Sequence, residues 1–455
     1  MEHAAKLKKI VNAQKEVHAI ETAYGEFHSH APVIPEKKIG WVRRLFKSFG
    51  PGLITGVSDD DPSGIGTYAA SGATFGLTQI WTSLFSLPLM TAVQEASARI
   101  GMVTGEGLAG VLRRFYSKKL LYSAVWLLVM ANTINIGVDI GAMAAAAELI
   151  VPLPFIFLAL GFTVITLILE VFVTYKSYAK FLKWLTLSVA AYVITGFLIN
   201  ADWADIAKNL IIPQFHLQKD FVLSLVAIFG TTISPYLFFW QASEEVEEEI
   251  AAGRTTLRAR RGASAEELKA MRSDVTVGMI VSNVVMFFVI LTAAAVIFPQ
   301  HLPIETAQDA AAALEPFAGR FASYLFAFGI IGTGFLAVPI LAGSSSYALS
   351  EALGWKTGLY RPFKEAHGFY GIITISTIIG LLINFIGVSP IKALVYAAVV
   401  NGFIAVPLII MMLVIGNNKK IMGRAKNSLI SNIFLWLTVL IMAASVIALL
   451  YFQFR

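Results

Sequence analysis

The feature that most constrains the fold of this chain is a series of apolar runs, each long enough to cross a lipid bilayer. A membrane-spanning helix needs roughly 17–25 residues, and eleven such runs recur among the 455 residues. Hydrophobic residues make up 57% of the chain and charged residues 14%, too little charge to cover a soluble globule. The sequence therefore predicts an all-α membrane protein. The runs lie near 48–76, 79–101, 120–147, 153–174, 180–200, 220–242, 274–298, 319–346, 369–387, 391–415 and 428–452.

The distribution of Lys and Arg predicts the orientation of these spans. With eleven spans, the N-terminus and every even-numbered loop share one side, and 30 of the 35 Lys and Arg residues fall there. Because such loops stay in the cytoplasm, we expect a plasma-membrane protein with its N-terminus inside and its C-terminus outside. Residues 1–44 are predicted to be a cytoplasmic tail, and 45–455 a transmembrane domain. Topology explains the net charge of +6, so no nucleic-acid partner is expected.

The first span contains a polar interruption. Asp59, Asp60 and Asp61 are followed by Pro62, Ser63 and Gly64 in the middle of an otherwise apolar run. A charged residue at the centre of a membrane helix costs about 2.5–3.5 kcal/mol, and proline removes a backbone donor. Such a backbone is stable only where protein or a water-filled cavity surrounds it. The sequence therefore predicts a broken helix.

The sixth span repeats this pattern, with Gly230 and Pro235 five residues apart and hydroxyl side chains between them. Interruptions in spans one and six indicate two five-helix inverted repeats. We place repeat one near 48–200, repeat two near 220–415 and an extra helix near 428–452. Unwound segments expose backbone carbonyls at the bilayer midplane, where they can hold a cation.

At these residues the chain resembles the NRAMP divalent-metal transporters, which have the LeuT-like fold. Gly50-Pro51-Gly52 opens the first helix and Phe75-Gly76 closes it as in that family. The stretch from Asn135 to Gly141 lies where the family's third helix carries acidic residues. The resemblance covers roughly residues 45–450. It implies a 5+5 inverted repeat plus an eleventh helix, helices 1 and 6 broken at the midplane, and transport by alternating access.

The chain departs from the family's motifs at three places. Asp61-Pro62-Ser63-Gly64 stands where the family has Asp-Pro-Gly-Asn, so the Asn ligand is replaced by Gly64. Ser234-Pro235-Tyr236 stands where the family has Met-Pro-His, which removes a thioether and a histidine linked to protons. The aspartate of the family's proton route aligns with Asn135.

These departures widen the site and leave it with oxygen ligands, which suit Mg²⁺ and Ca²⁺. The pattern resembles the branch called NRAMP-related magnesium transporters, in which uptake is uncoupled from protons. We therefore expect transport of Mg²⁺, and also Mn²⁺, without protons. No cofactor, catalytic residue or obligate protein partner is expected, and the partners are the metal ion and the lipid bilayer.

The resemblance implies metal ligation by the Asp61 carboxylate, the Ser58 and Thr231 carbonyls and the Ser234 hydroxyl. A second set of candidates around the same site is formed by Asp60, Asp59, Gly64 and Tyr236.

Other readings remain open. A proton-coupled Mn²⁺/Fe²⁺ symporter would tolerate the motif changes. An amino-acid transporter driven by Na⁺ would have to bind a carboxylate substrate beside Asp61, which repels it. An intramembrane enzyme would need a nucleophile and base or a His-rich metal site, and the spans carry neither pattern. A receptor or scaffold is also compatible with the sequence.

Several further polar residues have structural interpretations. The loop at 243–273 is predicted to be a solvated helical extension, with opposite charges at helical spacing. Glu95 and Arg99 are predicted to pair on one helix face. Asp139 is an intramembrane acid and so a functional candidate, with a structural hydrogen-bond role as the alternative. Asn384 and Asn401 are expected to bond neighbouring helices.

Overall fold

The computed structural model describes residues 50–173, 190–199, 202–301, 304, 306–385 and 387–454. The predicted tail at 1–44 and most of the predicted fifth span lie outside these residues. Within the described part every regular element is a helix, which confirms the predicted fold class. The α-helices are α1 (Pro51–Asp59), α2 (Pro62–Phe75), α3 (Trp81–Thr104), α4 (Leu108–Phe115), α5 (Lys118–Glu148), α6 (Phe155–Phe172), α7 (Ala190–Leu198), α8 (Trp203–Ile211), α9 (Lys219–Thr232), α10 (Pro235–Ala251), α11 (Leu257–Arg260), α12 (Ala265–Val296), α13 (Ala307–Ala311), α14 (Glu315–Ala318), α15 (Ala322–Leu353), α16 (His367–Ile383), α17 (Pro390–Asn417), α18 (Lys419–Met422) and α19 (Leu429–Phe454).

Seven of the described helical segments are long and apolar enough to cross a membrane, and they match predicted spans three, four, six, seven, eight, ten and eleven. The ninth predicted span is the 17-residue apolar helix α16. The second is α3, whose apolar face is interrupted by the buried residues Gln94, Glu95 and Arg99. The first span is two shorter helices in sequence.

The first span breaks where the sequence predicts. α1 ends at Asp59, Asp60 and Asp61 leave helical geometry, and α2 begins with Pro62 in its first turn. Proline suits this position because the first turn of a helix has no acceptor for its missing N–H. The Asp61 side chain takes the N-cap role and accepts a hydrogen bond from the Gly64 amide at 2.6 Å.

The sixth span breaks at Ile233 and Ser234, between α9 and α10, and Pro235 opens the second half. Gly230 belongs to α9 and does not interrupt it. Its role is close packing, because a Cβ at Gly230 would lie 2.0 Å from the Ala398 carbonyl oxygen of α17. The break therefore occupies two residues, fewer than the Gly-to-Pro interval predicted.

The helices pack reciprocally between the two halves of the chain. The first span packs along α12, the seventh span, and the α10 half of the sixth span packs along α3, the second span. In an inverted repeat, span one corresponds to span six and span two to span seven. The pairing of spans one and seven therefore corresponds to the pairing of spans six and two. α5 and α15, the third and eighth spans, pack against each other and so form a self-equivalent pair. This is the arrangement expected of a two-fold inverted repeat.

The acidic run at the start of the 243–273 loop is helical as predicted but mostly buried, so the predicted solvation is wrong except at the exposed Glu248 and the half-buried Glu247. α10 continues through the run to Ala251, and Glu244, Glu245 and Glu249 are buried. Glu245 accepts a hydrogen bond from Gln241 at 2.9 Å, and Glu247 accepts one from the Tyr347 hydroxyl at 2.7 Å. Packing against neighbouring helices, which local spacing does not reveal, covers these carboxylates.

The predicted pair of Glu95 and Arg99 is confirmed, with a nitrogen–oxygen distance of 3.3 Å. It belongs to a larger network, because Arg272 of α12 also donates to Glu95 at 2.8 Å. Arg99 itself donates to Asn427, just before α19, at 2.7 Å. The network joins the second, seventh and eleventh spans at one end of the bundle.

Candidate metal site

The two helix breaks meet inside the bundle. The Ser63 hydroxyl of α2 lies 3.3 Å from the Thr231 hydroxyl of α9, and the Tyr68 hydroxyl lies 3.0 Å from Thr232. The break residues of both spans are buried. The structure therefore brings the ends of four half-helices to one place in the interior.

Asp61 lies at this meeting point with only 2% of its surface exposed. One carboxylate oxygen accepts from the Gly64 amide, and the other lies 3.3 Å from the Tyr236 hydroxyl. The amino-terminal end of α2 carries a partial positive charge that stabilises the carboxylate. The oxygen facing Tyr236 keeps lone pairs that can accept a cation.

The Ser58 carbonyl is directed to the same region. It accepts a hydrogen bond from the Tyr236 hydroxyl at 2.9 Å, while the Ser58 side chain donates to Ile54 within α1. Tyr236 has one proton, and the shorter distance assigns it to Ser58 over Asp61. The Ser58 carbonyl, which was predicted to bind metal, thus accepts a hydrogen bond from Tyr236 in this structure. The same hydrogen bond links the first and sixth spans.

Thr231 and Ser234 are engaged within the sixth span. The Ser234 hydroxyl lies 2.6 Å from the Thr231 carbonyl and 3.0 Å from the Gly230 carbonyl, so it donates back to its own helix. The Thr231 carbonyl oxygen therefore already accepts a hydrogen bond in this conformation. The Ser234 oxygen still has lone pairs, and the Thr231 hydroxyl contacts the first break through Ser63.

Asp59 and Asp60 point toward α12. The Ser282 hydroxyl donates to Asp59 at 2.7 Å and lies 3.5 Å from Asp60. The second carboxylate oxygen of Asp59 is buried, with no hydrogen-bond partner among the described residues. Gly64 packs closely against the first break, since a Cβ there would lie 3.1 Å from the Asp59 carbonyl oxygen. The widening of the site expected from the loss of the family's Asn side chain stays a prediction.

Asp139 of α5 is the acidic residue that sequence reasoning placed outside the ligand set. Both of its carboxylate oxygens are buried and have no hydrogen-bond partner among the described residues. It lies beside Asp61 and the Ser63 amide at the start of α2. The Ser63 amide compensates this carboxylate only weakly, so its burial is costly unless a cation or a proton binds it. The signal in the sequence was its place within an apolar span.

Asn135, one turn before Asp139, has a structural partner. Its side-chain amide donates to the Asn401 oxygen at 2.8 Å, and the Asn401 amide lies 3.2 Å from the Asn135 oxygen. The expectation that Asn401 bonds a neighbouring helix is confirmed. Asn384 likewise donates to the Gly137 carbonyl at 2.8 Å, as expected.

The donor set around the two breaks is made of oxygen atoms. In the described residues no group of three or more His, Asp or Glu side chains is close enough to hold a metal ion by itself. A cation here would be held by one carboxylate together with carbonyls, hydroxyls and its own water. Hard cations accept such ligands.

The comparison with known proteins decides the family. The sequence model of the Nramp family, described as natural resistance-associated macrophage protein-like, matches residues 52–452. The chain belongs to the Nramp family. The predicted resemblance is thereby confirmed at the level of the family, and the protein is a multi-pass membrane protein.

Two relatives of this Nramp chain are divalent metal cation transporters named MntH. The protein of Bacillus subtilis (strain 168) is 25% identical over 431 residues, which cover 92% of this chain and 95% of that protein. The protein of Clostridium acetobutylicum is 26% identical over 428 residues, covering 91% and 92%.

A solved structure shows the same Nramp fold. The crystal structure of the Eremococcus coleocola manganese transporter superposes with a TM-score of 0.70 at 18% identity. The match covers 91% of this chain and 88% of that one. The overall fold described above is therefore shared with that transporter.

Proposed function

We propose that this protein transports divalent metal cations across the plasma membrane by alternating access, with Mg²⁺ as the principal substrate and Mn²⁺ as a second. One observation carries the proposal. The Asp61 carboxylate lies where two broken membrane helices meet, with the Ser58 carbonyl and the Tyr236, Ser63 and Thr231 hydroxyls in the same region. A transporter of this kind is not an enzyme and needs no cofactor.

The preference for Mg²⁺ rests on the chemistry of the donors. Ser234 stands at the position of the family's Met ligand, so a hydroxyl replaces the thioether that favours softer transition metals. Mg²⁺ loses its waters reluctantly and usually keeps several of them. A site with one carboxylate and several neutral oxygens suits an ion that arrives partly hydrated. The names of the two relatives and of the structural neighbour support a divalent metal substrate in general.

We further propose that transport is not coupled to protons. Tyr236 occupies the position of the family's histidine, and its hydroxyl is a hydrogen-bond donor to Ser58. Asn135 occupies the position of the family's proton-route aspartate and pairs with Asn401. Asn does not titrate and Tyr keeps its proton at neutral pH, so neither side chain can take up and release a proton as His or Asp can.

A second candidate function, symport of Mn²⁺ with protons, is favoured by Asp139. Its unpartnered carboxylate lies beside Asp61 and is an acid that could carry a proton through the bundle. The two candidates make opposite predictions for the pH of a closed compartment during metal uptake.

The test is uptake into proteoliposomes that contain the purified full-length chain, with a Mg²⁺ or Mn²⁺ dye and a pH dye in the same vesicles. We expect both ions to enter and the internal pH to stay constant. Acidification in proportion to metal entry, abolished by Asp139→Asn, would establish the proton-coupled alternative. Vesicles that take up neither ion would overturn the transport proposal itself.

A further inference from the structure

A cavity of about 420 Å³ lies at the end of the bundle that the charge distribution assigns to the cytoplasm. Its walls are the end of α3, the loop between α11 and α12, and the connection from α17 to α19. Three basic residues from two separate segments line it, namely Arg261, Lys420 and Arg424. The transport site described above uses none of them.

The segments that carry these basic residues are held in place. The Gly262 amide donates to the Val103 carbonyl at 2.9 Å, which ties the Arg261 loop to the end of α3. Arg260 donates to the Gly105 carbonyl at 3.2 Å and reinforces this contact. On the other wall, Met422 is 2% exposed and anchors the short helix α18 that carries Lys420. The fold therefore positions the positive charges around the cavity.

The charge of the cavity is not balanced. The acidic residue in its lining is Glu106, and its carboxylate pairs with Arg114 at 2.8 Å. Burial raises the pKa of the Glu106 carboxyl, and the positive charges of Arg114 and Arg261 oppose that shift. No ion pair among the described residues involves Arg261, Lys420 or Arg424. Three like charges around one cavity favour the entry of an anion.

The cavity also lies next to apolar surface. Phe115 forms part of the lining and is 41% exposed. α19 begins just beyond the Arg424 segment with Leu429, which is 77% exposed. Exposed apolar side chains beside a basic cavity offer a surface that the acyl chains of a lipid can contact. A lipid bound here could therefore place its headgroup against the basic residues and its acyl chains against the apolar side chains.

We propose that this cavity binds a phosphate-bearing anion, through Arg261, Lys420 and Arg424, either as the headgroup of an anionic lipid or as a free phosphate compound. Arginine matches the geometry of phosphate oxygens and lysine supplies a further point charge. Basic pockets between membrane helices on the cytoplasmic side are suited to anionic headgroups. The proposal does not depend on the identity of the transported ion.

The test uses the purified full-length protein in detergent and counts bound lipids by native mass spectrometry. Phosphatidylglycerol and phosphatidylethanolamine are titrated separately. We expect phosphatidylglycerol to bind more tightly than phosphatidylethanolamine. The triple variant Arg261→Gln, Lys420→Gln, Arg424→Gln should bind phosphatidylglycerol at least about tenfold more weakly than the parent. A matched triple variant, Lys269→Gln, Lys356→Gln, Lys364→Gln, removes the same charge from exposed positions outside the cavity and should bind like the parent.

A second arm distinguishes the free anion. Thermal unfolding of lipid-depleted protein is compared in inorganic phosphate and in chloride at equal ionic strength. Stabilisation by phosphate in the parent and the matched control, but not in the cavity variant, supports a free phosphate ligand. If the triple variant is not monodisperse, the single change Lys420→Glu at an exposed side chain replaces it, with the same loss expected. Equal binding of both lipids and of phosphate by all variants would overturn the proposal.

Discussion

Asp274 accepts a hydrogen bond from the backbone amide of Gly52 at 2.7 Å, although the two residues are 222 positions apart. Its other carboxylate oxygen accepts from the Gly50 amide at 3.1 Å. Gly50 is the N-cap of α1 and has no side chain to satisfy these amides. A carboxylate of the seventh span thus caps the first half-helix from outside, and its negative charge is attracted by the positive amino-terminal end of the α1 dipole.

We expect Asp274→Ala to loosen the amino-terminal end of α1 from α12. Hydrogen bonds to a charged group contribute about 1.5–3 kcal/mol, so the open population should rise about tenfold or more. The chain contains no cysteine, so a single cysteine at the buried position of Thr55 in α1 reports opening through its rate of maleimide labelling.

The neighbouring exposed residue offers a control for this measurement. Ser273→Ala, in the same helix, should leave the labelling rate at position 55 unchanged. An Asp274→Ala protein that labels as slowly as the parent would show that the capping contact does not hold α1.

Asp61→Asn is the sharpest test of the proposed ligand. Because Asp61 also caps α2, alanine would remove the cap and the charge together. Asparagine caps helices about as well as aspartate, so the variant should keep its thermal stability to within a few degrees. Loss of the charge should lower Mg²⁺ and Mn²⁺ uptake at least about tenfold, since the other two carboxylates of the break, Asp59 and Asp60, are directed to Ser282 of α12.

Asp205→Asn, an exposed carboxylate on α8, serves as the control and should transport like the parent. Unchanged uptake by a well-folded Asp61→Asn protein would move the ligand assignment to Asp59 or Asp60.

Ser234→Met should change the preference among metals. The thioether supplies a soft ligand, so competition assays should show Mn²⁺ and Cd²⁺ gaining on Mg²⁺ by roughly tenfold. The substitution also removes the hydrogen bond to the Thr231 carbonyl. Ser234→Leu removes that bond equally and has a similar size without sulfur, so it should not favour Cd²⁺. Equal selectivity in the two variants would refute a ligand role at position 234.

The orientation of the spans is tested with single cysteines at Gln218 and Lys419, both exposed. A reagent that cannot cross the membrane should label position 218 on intact cells and position 419 only after permeabilisation. The opposite pattern would invert the predicted topology.

The sequence predicts the two helix breaks well because proline, glycine and buried charge have strong local effects. Pro62 and Pro235 begin their half-helices, and Asp61 has the spacing of an N-cap. The Glu95–Arg99 pair is equally local, being four residues apart on one helix. Such features depend on residues that are neighbours along the chain.

Features that join distant segments were not predictable in the same way. The burial of Glu244 and Glu245 depends on which helices cover α10, and the contact between Asp274 and α1 depends on how the seventh span is placed. The hydrogen bond from Tyr236 to the Ser58 carbonyl also requires the two breaks to meet. A single sequence contains these relationships only through its tertiary packing.

The backbone contact at Gly230 has a consequence for how this chain can vary. Any side chain at position 230 would collide with the Ala398 carbonyl and with Gly402, so α9 and α17 would have to separate. Since the break lies immediately after α9, such a separation would displace Thr231 and Ser234. A survey of all substitutions should therefore find position 230 among the least tolerant in the protein, although glycine has no group that could bind an ion.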